Sequence, residues 1–173
     1  MNDMIFQKMI YNDIQLELFA SFDRYQDVKK CWRKENGKWI LKDMEFVEQW
    51  NTKDYEELVV SLRETLKSGG AVWGVFESGN LVGFASLENC LFGSRKQYLQ
   101  LSSLHVSYSA RGKGIGKKLF AAVCEEAKKR NVQKLYISAQ SSEETQHFYR
   151  AVGCVEALEY NAKLVAEEPC DCQ

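Results

Sequence analysis

Hydrophobic positions along the first third of the chain change their period several times. Ile5 to Ile10 alternates loosely and predicts a strand, while Ile14, Leu18 and Phe22, four apart, predict a helix over 13–22. From Asp23 to Asn51 the pattern blurs. Trp32, Trp39, Phe46 and Trp50 scatter among charged residues around Asn36-Gly37, and the stretch reads as partly helical without definable ends. A clearer helix follows over 54–67, with Leu58, Leu62 and Leu66 on one face and Ser68-Gly69-Gly70 to stop it.

The later pattern is sharper. Ala71 to Glu77 and Leu81 to Glu88 predict a hairpin across Ser78-Gly79-Asn80, and Leu99 to Ser107 predicts a further strand. The run from Ile115 to Arg130 places Ile115, Leu119, Phe120, Val123 and Ala127 on one helical face, with Asn131 as a left-handed cap. Lys134 to Ala139 reads as a strand, 143–152 as a helix and Gly153 to Tyr160 as another strand. The order implies a mixed α/β architecture with a central sheet flanked by helices, in one domain over 1–173. After the only proline, Pro169, just Cys170 to Gln173 is left for a closing strand.

The chemistry concentrates where the 99–107 strand meets the 115–130 helix. Arg111-Gly112-Lys113-Gly114-Ile115-Gly116 leaves backbone N–H groups bare of side chains at a helix N-terminus, an arrangement suited to a phosphate or pyrophosphate. Lys113, Lys117 and Lys118 crowd a helix start whose dipole they oppose, which a bound anion would offset. Two familiar phosphate loops do not fit. The P-loop pattern needs glycine where Arg111 stands and Ser or Thr where Lys118 stands, and the dinucleotide fingerprint needs its third glycine at Lys117 or Leu119.

What remains is Arg-x-x-Gly-x-Gly, Arg111 to Gly116, after an apolar strand ending in Leu104-His105-Val106. This resembles the acetyl-CoA-binding motif of the GNAT N-acetyltransferase family, and Phe148-Tyr149-x-x-x-Gly153 is similar to that family's later motif. The resemblance covers about residues 70–160. It implies the GNAT fold, with a fourth and fifth strand that splay apart beside a bulge. It also implies acetyl-CoA as cosubstrate, held by the 111–116 turn, Lys117 and backbone N–H groups near Leu104, His105 and Val106. Tyr149 matches the family's general acid, and Ser142 stands where Asn often holds pantetheine. Gln100 and Ser138 occupy positions where members carry a glutamate base, so Glu88 becomes the nearest candidate base, with Glu143 and His105 behind it.

Each residue also has a plainer reading. Tyr149 pairs with Phe148 as core, His105 is a half-buried histidine bonded to backbone, and glutamates usually face solvent. No Cys–His pair is placed for a covalent intermediate, so the resemblance implies direct attack by an amine, with a small molecule as acceptor. A protein amine and a non-catalytic acyl-CoA-binding module are the alternatives. Aromatic residues between Phe22 and Trp50 would shape the acceptor side.

Composition narrows the partners. Hydrophobic residues make up 45% and charged residues 27%, with a net charge of −1, so no global field draws nucleic acid. No apolar run has the length of a membrane span and no leader pattern opens the chain, which reads as cytoplasmic. The six cysteines form no C-x-x-C pair; Cys170 and Cys172 are expected as reduced thiols, with no metal bound. An open sheet edge at the final strand predicts a homodimer through 154–173.

Overall fold

The computed structural model describes residues 3–173. Two compact units are formed, one from residues up to Tyr25 together with Gln49–Leu135, the other from Gln26–Glu48 together with Tyr136–Gln173.

The first unit is built on a sheet. Strands β1 (Met4–Lys8), β4 (Ala71–Glu77), β5 (Asn80–Leu87) and β6 (Tyr98–Val106) are antiparallel neighbours in that order, and β7 (Lys134–Tyr136) completes a mixed five-stranded sheet. Strands β4 and β5 turn through Ser78 and Gly79, both at positive φ, as the sequence pattern predicts. Helix α1 (Thr52–Lys67) covers one face and α2 (Ile115–Lys129) the other. Successive strand residues point to opposite faces, so Gly83 and Phe84 divide the core. Phe84 joins Ile14, Phe19, Phe22, Val59, Leu62 and Leu81 on the α1 face. On the α2 face, a Cβ at Gly83 would meet Ile115 Cγ2 at 2.8 Å, so only glycine lets the helix lie this close. Leu119 and Val123 on that helix are fully buried. Truncating Leu119 to alanine would cost about 2–5 kcal/mol.

The second unit departs most from expectation. The stretch read as partly helical is a hairpin of β2 (Gln26–Glu35) and β3 (Lys38–Glu48), joined at Asn36 (φ 51°) and Gly37 (φ 76°). That two-residue turn with both φ positive is the Asn-Gly hairpin signal. A register shift between Val28 and Lys30 breaks the alternation and hides the strand period. Helix α3 (Glu143–Ala151) is as expected.

Three further expectations are corrected. The helix over 13–22 is instead a pair of short 3-10 turns, Tyr11–Asp13 and Leu16–Phe19, where Asp13 bonds back to the Ile10 amide. Strand β7 ends at Tyr136 rather than Ala139. No strand forms over 153–160: Val155 and Leu158 are 88% and 92% exposed, and helix α4 (Ala162–Glu167), capped by Asn161, follows. The closing strand shrinks to one bridge, in which Cys172 and Ala139 exchange N–H···O bonds of 2.8 and 3.0 Å, while Ala157 N–H reaches Gln173 O.

Candidate active site

In the first unit, β6 delivers the chain into the glycine turn. Ser107 N–H donates to Val82 O at 2.9 Å, and the register runs through Phe84↔His105 and Gly83↔Val106. In an antiparallel ladder this parity turns the His105 peptide groups toward β5 and those of Leu104 and Val106 away from it. Strand β7 is the neighbour of β6 on its other side, and just ahead of β6 Gln97 O accepts from Lys134 N–H. The outward edge of Leu104 and Val106 is therefore not covered by β5. A bulge at Ser102 lies two residues earlier: Ser86 pairs with Ser103, but Leu87 pairs with Leu101.

After β6 a 3-10 turn (Tyr108–Ala110) leads to Arg111, whose Nε donates to Val106 O at 3.2 Å and whose guanidinium lies over the Tyr108 ring. Gly112 and Gly114 both have φ 79°, and a Cβ at either would meet nothing within 4 Å. Gly114 is the left-handed N-cap of α2 and supplies no side-chain hydrogen bond. Lys118 N–H donates to Gly114 O at 3.2 Å, so the amides of Ile115, Gly116 and Lys117 precede the helical ladder. No acidic residue stands in that first turn. Lys113 reaches across to Glu77 at 3.1 Å, and Lys117 is exposed. The turn has what an anion requires: free donors, a positive dipole end and open space.

His105 packs its ring edge-on against Trp50, with centroids 4.9 Å apart, and against Phe84. Burial, followed by the nearby Arg24 and Arg111 charges, lowers its pKa to about 3. The imidazole is neutral at physiological pH and a weak base. Glu88 follows β5 at the opposite end of the β5–β6 ladder from the turn; its N–H donates to Gln100 O. Its carboxylate accepts from Thr65 and Ser102. Along the strand it stands three residues beyond Ala85, the partner of Leu104, a displacement of about 10 Å.

In the second unit, Tyr149 lies on α3 with its ring edge-on to Phe148. Its hydroxyl makes no hydrogen bond among the described residues. Burial first, then the charges of Cys154 and Asp171, raise its pKa well above that of a free phenol, so it holds its proton. Ser142 caps α3, accepting from Thr145 N–H at 3.3 Å and from Gln26 Nε2 at 3.1 Å, and is 2% exposed. Both bonds are accepted by the Ser142 oxygen, and neither uses its hydroxyl proton. Glu143 is exposed in the first turn.

Two features escape the pattern reading. Asp171, which the short bridge sets near Ser138 Oγ at 3.5 Å, has a pKa raised to about 6 by burial and by Glu168. The hydroxyls around Glu88 carry only a faint signal, the polar pair Ser102-Ser103 inside an apolar strand. Among the described residues no group of three or more His, Cys, Asp or Glu side chains is placed to hold a metal ion. Nor is any helix there long and apolar enough to cross a membrane.

A bulged strand that leads into a glycine turn opening a helix, within a mixed sheet flanked by helices, defines a protein class, and the sequence comparison agrees. Residues 35–154 match the acetyltransferase (GNAT) family, and the chain belongs to that family. Solved structures share the fold. A putative streptothricin acetyltransferase from Bacillus anthracis str. Ames, in complex with acetyl coenzyme A, is 18% identical with a TM-score of 0.68, covering 87% of this chain and 84% of its own. Nourseothricin acetyltransferase gives 15%, 0.65, 87% and 82% in the same order. Ribosomal-protein-alanine N-acetyltransferase from Brucella melitensis biovar Abortus 2308 gives 18%, 0.59, 92% and 98%. No curated protein matches the sequence.

Proposed function

We propose that this chain is an acetyl-CoA-dependent N-acetyltransferase in which an amine attacks the thioester directly. The observation that carries the reading is the start of α2, an uncapped helix N-terminus with three amides ahead of its ladder and open space at Gly112 and Gly114. It suits the pyrophosphate of CoA, with Arg111, Lys113 and Lys117 supplying positive charge. The outward N–H groups of Leu104 and Val106 suit the pantetheine arm, added like a strand, and the thioester oxygen as it gains charge. Once the amine is neutral, its lone pair forms the new C–N bond and the C–S bond breaks. Tyr149, a protonated phenol free of other hydrogen bonds, gives its proton to the thiolate; the new amide nitrogen sheds its extra proton to solvent, and the phenolate regains one from solvent. Glu88 is the proton acceptor on the amine side.

The acceptor in this reading is a small-molecule amine. Support comes from the names of two structural relatives, nourseothricin and streptothricin acetyltransferases, and from the Trp50–His105 and Tyr25–Tyr108 aromatic pairs on the first unit. A protein amine is the second reading, favoured by the ribosomal-protein-alanine relative. The protein acts in the cytoplasm as a homodimer through 154–173, where Val155 and Leu158 expose apolar surface. Free thiol release on mixing protein and acetyl-CoA with a panel of amines tests the activity. Release with one amine class supports it and identifies the acceptor. Tight acetyl-CoA binding without release by any amine, N-terminal peptides included, favours the non-catalytic module instead.

A further inference from the structure

On the α1 face of β5 and β6, a short row of hydroxyls ends on a carboxylate. Ser102 Oγ donates to Glu88 Oε1 at 2.6 Å, and the Ser86 and Ser102 oxygens lie 2.7 Å apart. A serine hydroxyl has one proton. With Ser102 donating to Glu88, the Ser86 proton points at Ser102, and one Ser102 lone pair is left over. Ser86 is 0% exposed and Thr65 3%, whereas Ser102 is exposed. Ser102 is also the bulge residue, with no partner across the ladder, a position that re-aims a side chain.

Position along the strand distinguishes the two groups. Ser102 is two residues from Leu104, about 7 Å, whereas Glu88 lies further off and on the neighbouring strand. A nitrogen attacking a thioester held at the Leu104–Val106 edge is nearer to Ser102 than to the carboxylate. Thr65 adds a second property. Its hydroxyl is 2.7 Å from Glu88 Oε1 and 3.1 Å from Ser61 O, so its single proton has two acceptors. It serves Glu88 while the carboxylate is charged and turns to the Ser61 carbonyl once Glu88 is protonated.

We propose that Ser102 relays the proton of the acceptor ammonium to Glu88. In the step, an N–H bond of the ammonium breaks as its proton joins Ser102 Oγ. The original Ser102 O–H bond breaks as that proton joins Glu88 Oε1. Ammonium and carboxylate become neutral amine and carboxylic acid, Ser102 is unchanged, and the half-buried Glu88 returns the proton to water. Thr65 is a positioning residue. The relay rests on the N-acetyltransferase reading above.

The test compares Ser102→Ala, Ser102→Thr and Glu88→Gln, using the amine that releases thiol fastest from the wild type. The relay predicts that Ser102→Ala lowers kcat by about 10–10²-fold, the scale of lost proton transfer, while the acetyl-CoA Kd is unchanged. The variant's rate should climb with pH toward the pKa of the free amine, because solvent must then deprotonate it. Ser102→Thr should restore rate and profile, and Ser102→Ala with Glu88→Gln should be no slower than the slower of the two single variants. A Ser102→Ala variant that matches the wild type in rate and pH profile overturns the relay alone. A wild type that turns over no amine overturns the acetyltransferase reading and the relay with it.

Discussion

Two helices of the same unit begin in opposite ways. Helix α1 opens on a complete capping box: Asn51 Oδ1 accepts from Asp54 N–H at 3.1 Å, and Asp54 Oδ2 accepts from Asn51 N–H at 2.7 Å. The chain satisfies its own orphan donors there and sets a negative charge on the positive dipole end. Helix α2 opens on glycine, without a side-chain cap, without an acid in its first turn and with Lys117 and Lys118 beside the dipole. The second helix gives up stability that the first obtains. The capped start of α1 has no use for an outside anion, whereas the bare start of α2, with free donors at a positive dipole end, suits a ligand that brings its own negative charge.

Removing the Tyr149 hydroxyl separates chemistry from anion binding and is expected to have the largest effect. Tyr149→Phe should lower kcat by about 10²-fold with acetyl-CoA affinity unchanged; a near-normal rate would make Tyr149 a packing partner of Phe148. Next in size is the bare helix start itself. Gly114→Asp places a carboxylate where the anion would sit and should weaken acetyl-CoA at least about tenfold by calorimetry, or about 1.4 kcal/mol. Gly114→Asn carries the same backbone strain without the charge and should lose less. Equal losses would make strain rather than charge the cause.

At the capped helix the outcome inverts. Asn51→Ala should cost about 1 kcal/mol of stability, read as a lower denaturant midpoint, with no change in acetyl-CoA affinity. The smallest effect is the most pointed. Lys117→Glu should stabilise the free protein by about 0.3–1 kcal/mol through the α2 dipole, yet weaken acetyl-CoA. If it stabilised the protein and also tightened binding, the α2 start would not be an anion site.

The sequence pattern conveys these two helices unevenly. For α1 the apolar spacing of Leu58, Leu62 and Leu66 is enough, and for the α2 start the glycines and lysines carry the meaning directly. The β2–β3 hairpin was hidden because a bulge near Lys29 breaks its alternation and because β3 exposes Ile40, Phe46 and Val47. The local signal of this hairpin is Asn36-Gly37, whose positive φ values make the two-residue turn. Over 153–160 the opposite error arises: apolar residues suggest a strand, but Val155 and Leu158 face solvent, and Glu156 is held instead by Lys34 and Trp39. At the candidate site, the backbone groups of Leu104 and Val106 follow from the strand reading. The link from Glu88 to Ser102 does not, because only the register shift at Ser102 brings the two side chains together.

An anion held at the start of α2 would touch named backbone amides, and amide chemical shifts report on them one by one. Titrating acetyl-CoA into ¹⁵N-labelled protein should move the Gly112, Gly114, Ile115, Gly116 and Lys117 resonances most, with those of Leu104 and Val106 next. The amides of Thr52, Lys53 and Asp54 at the capped start of α1 should stay in place. Saturable binding that leaves 112–117 unmoved, or shifts both helix starts alike, would mean that acetyl-CoA is not held at the start of α2.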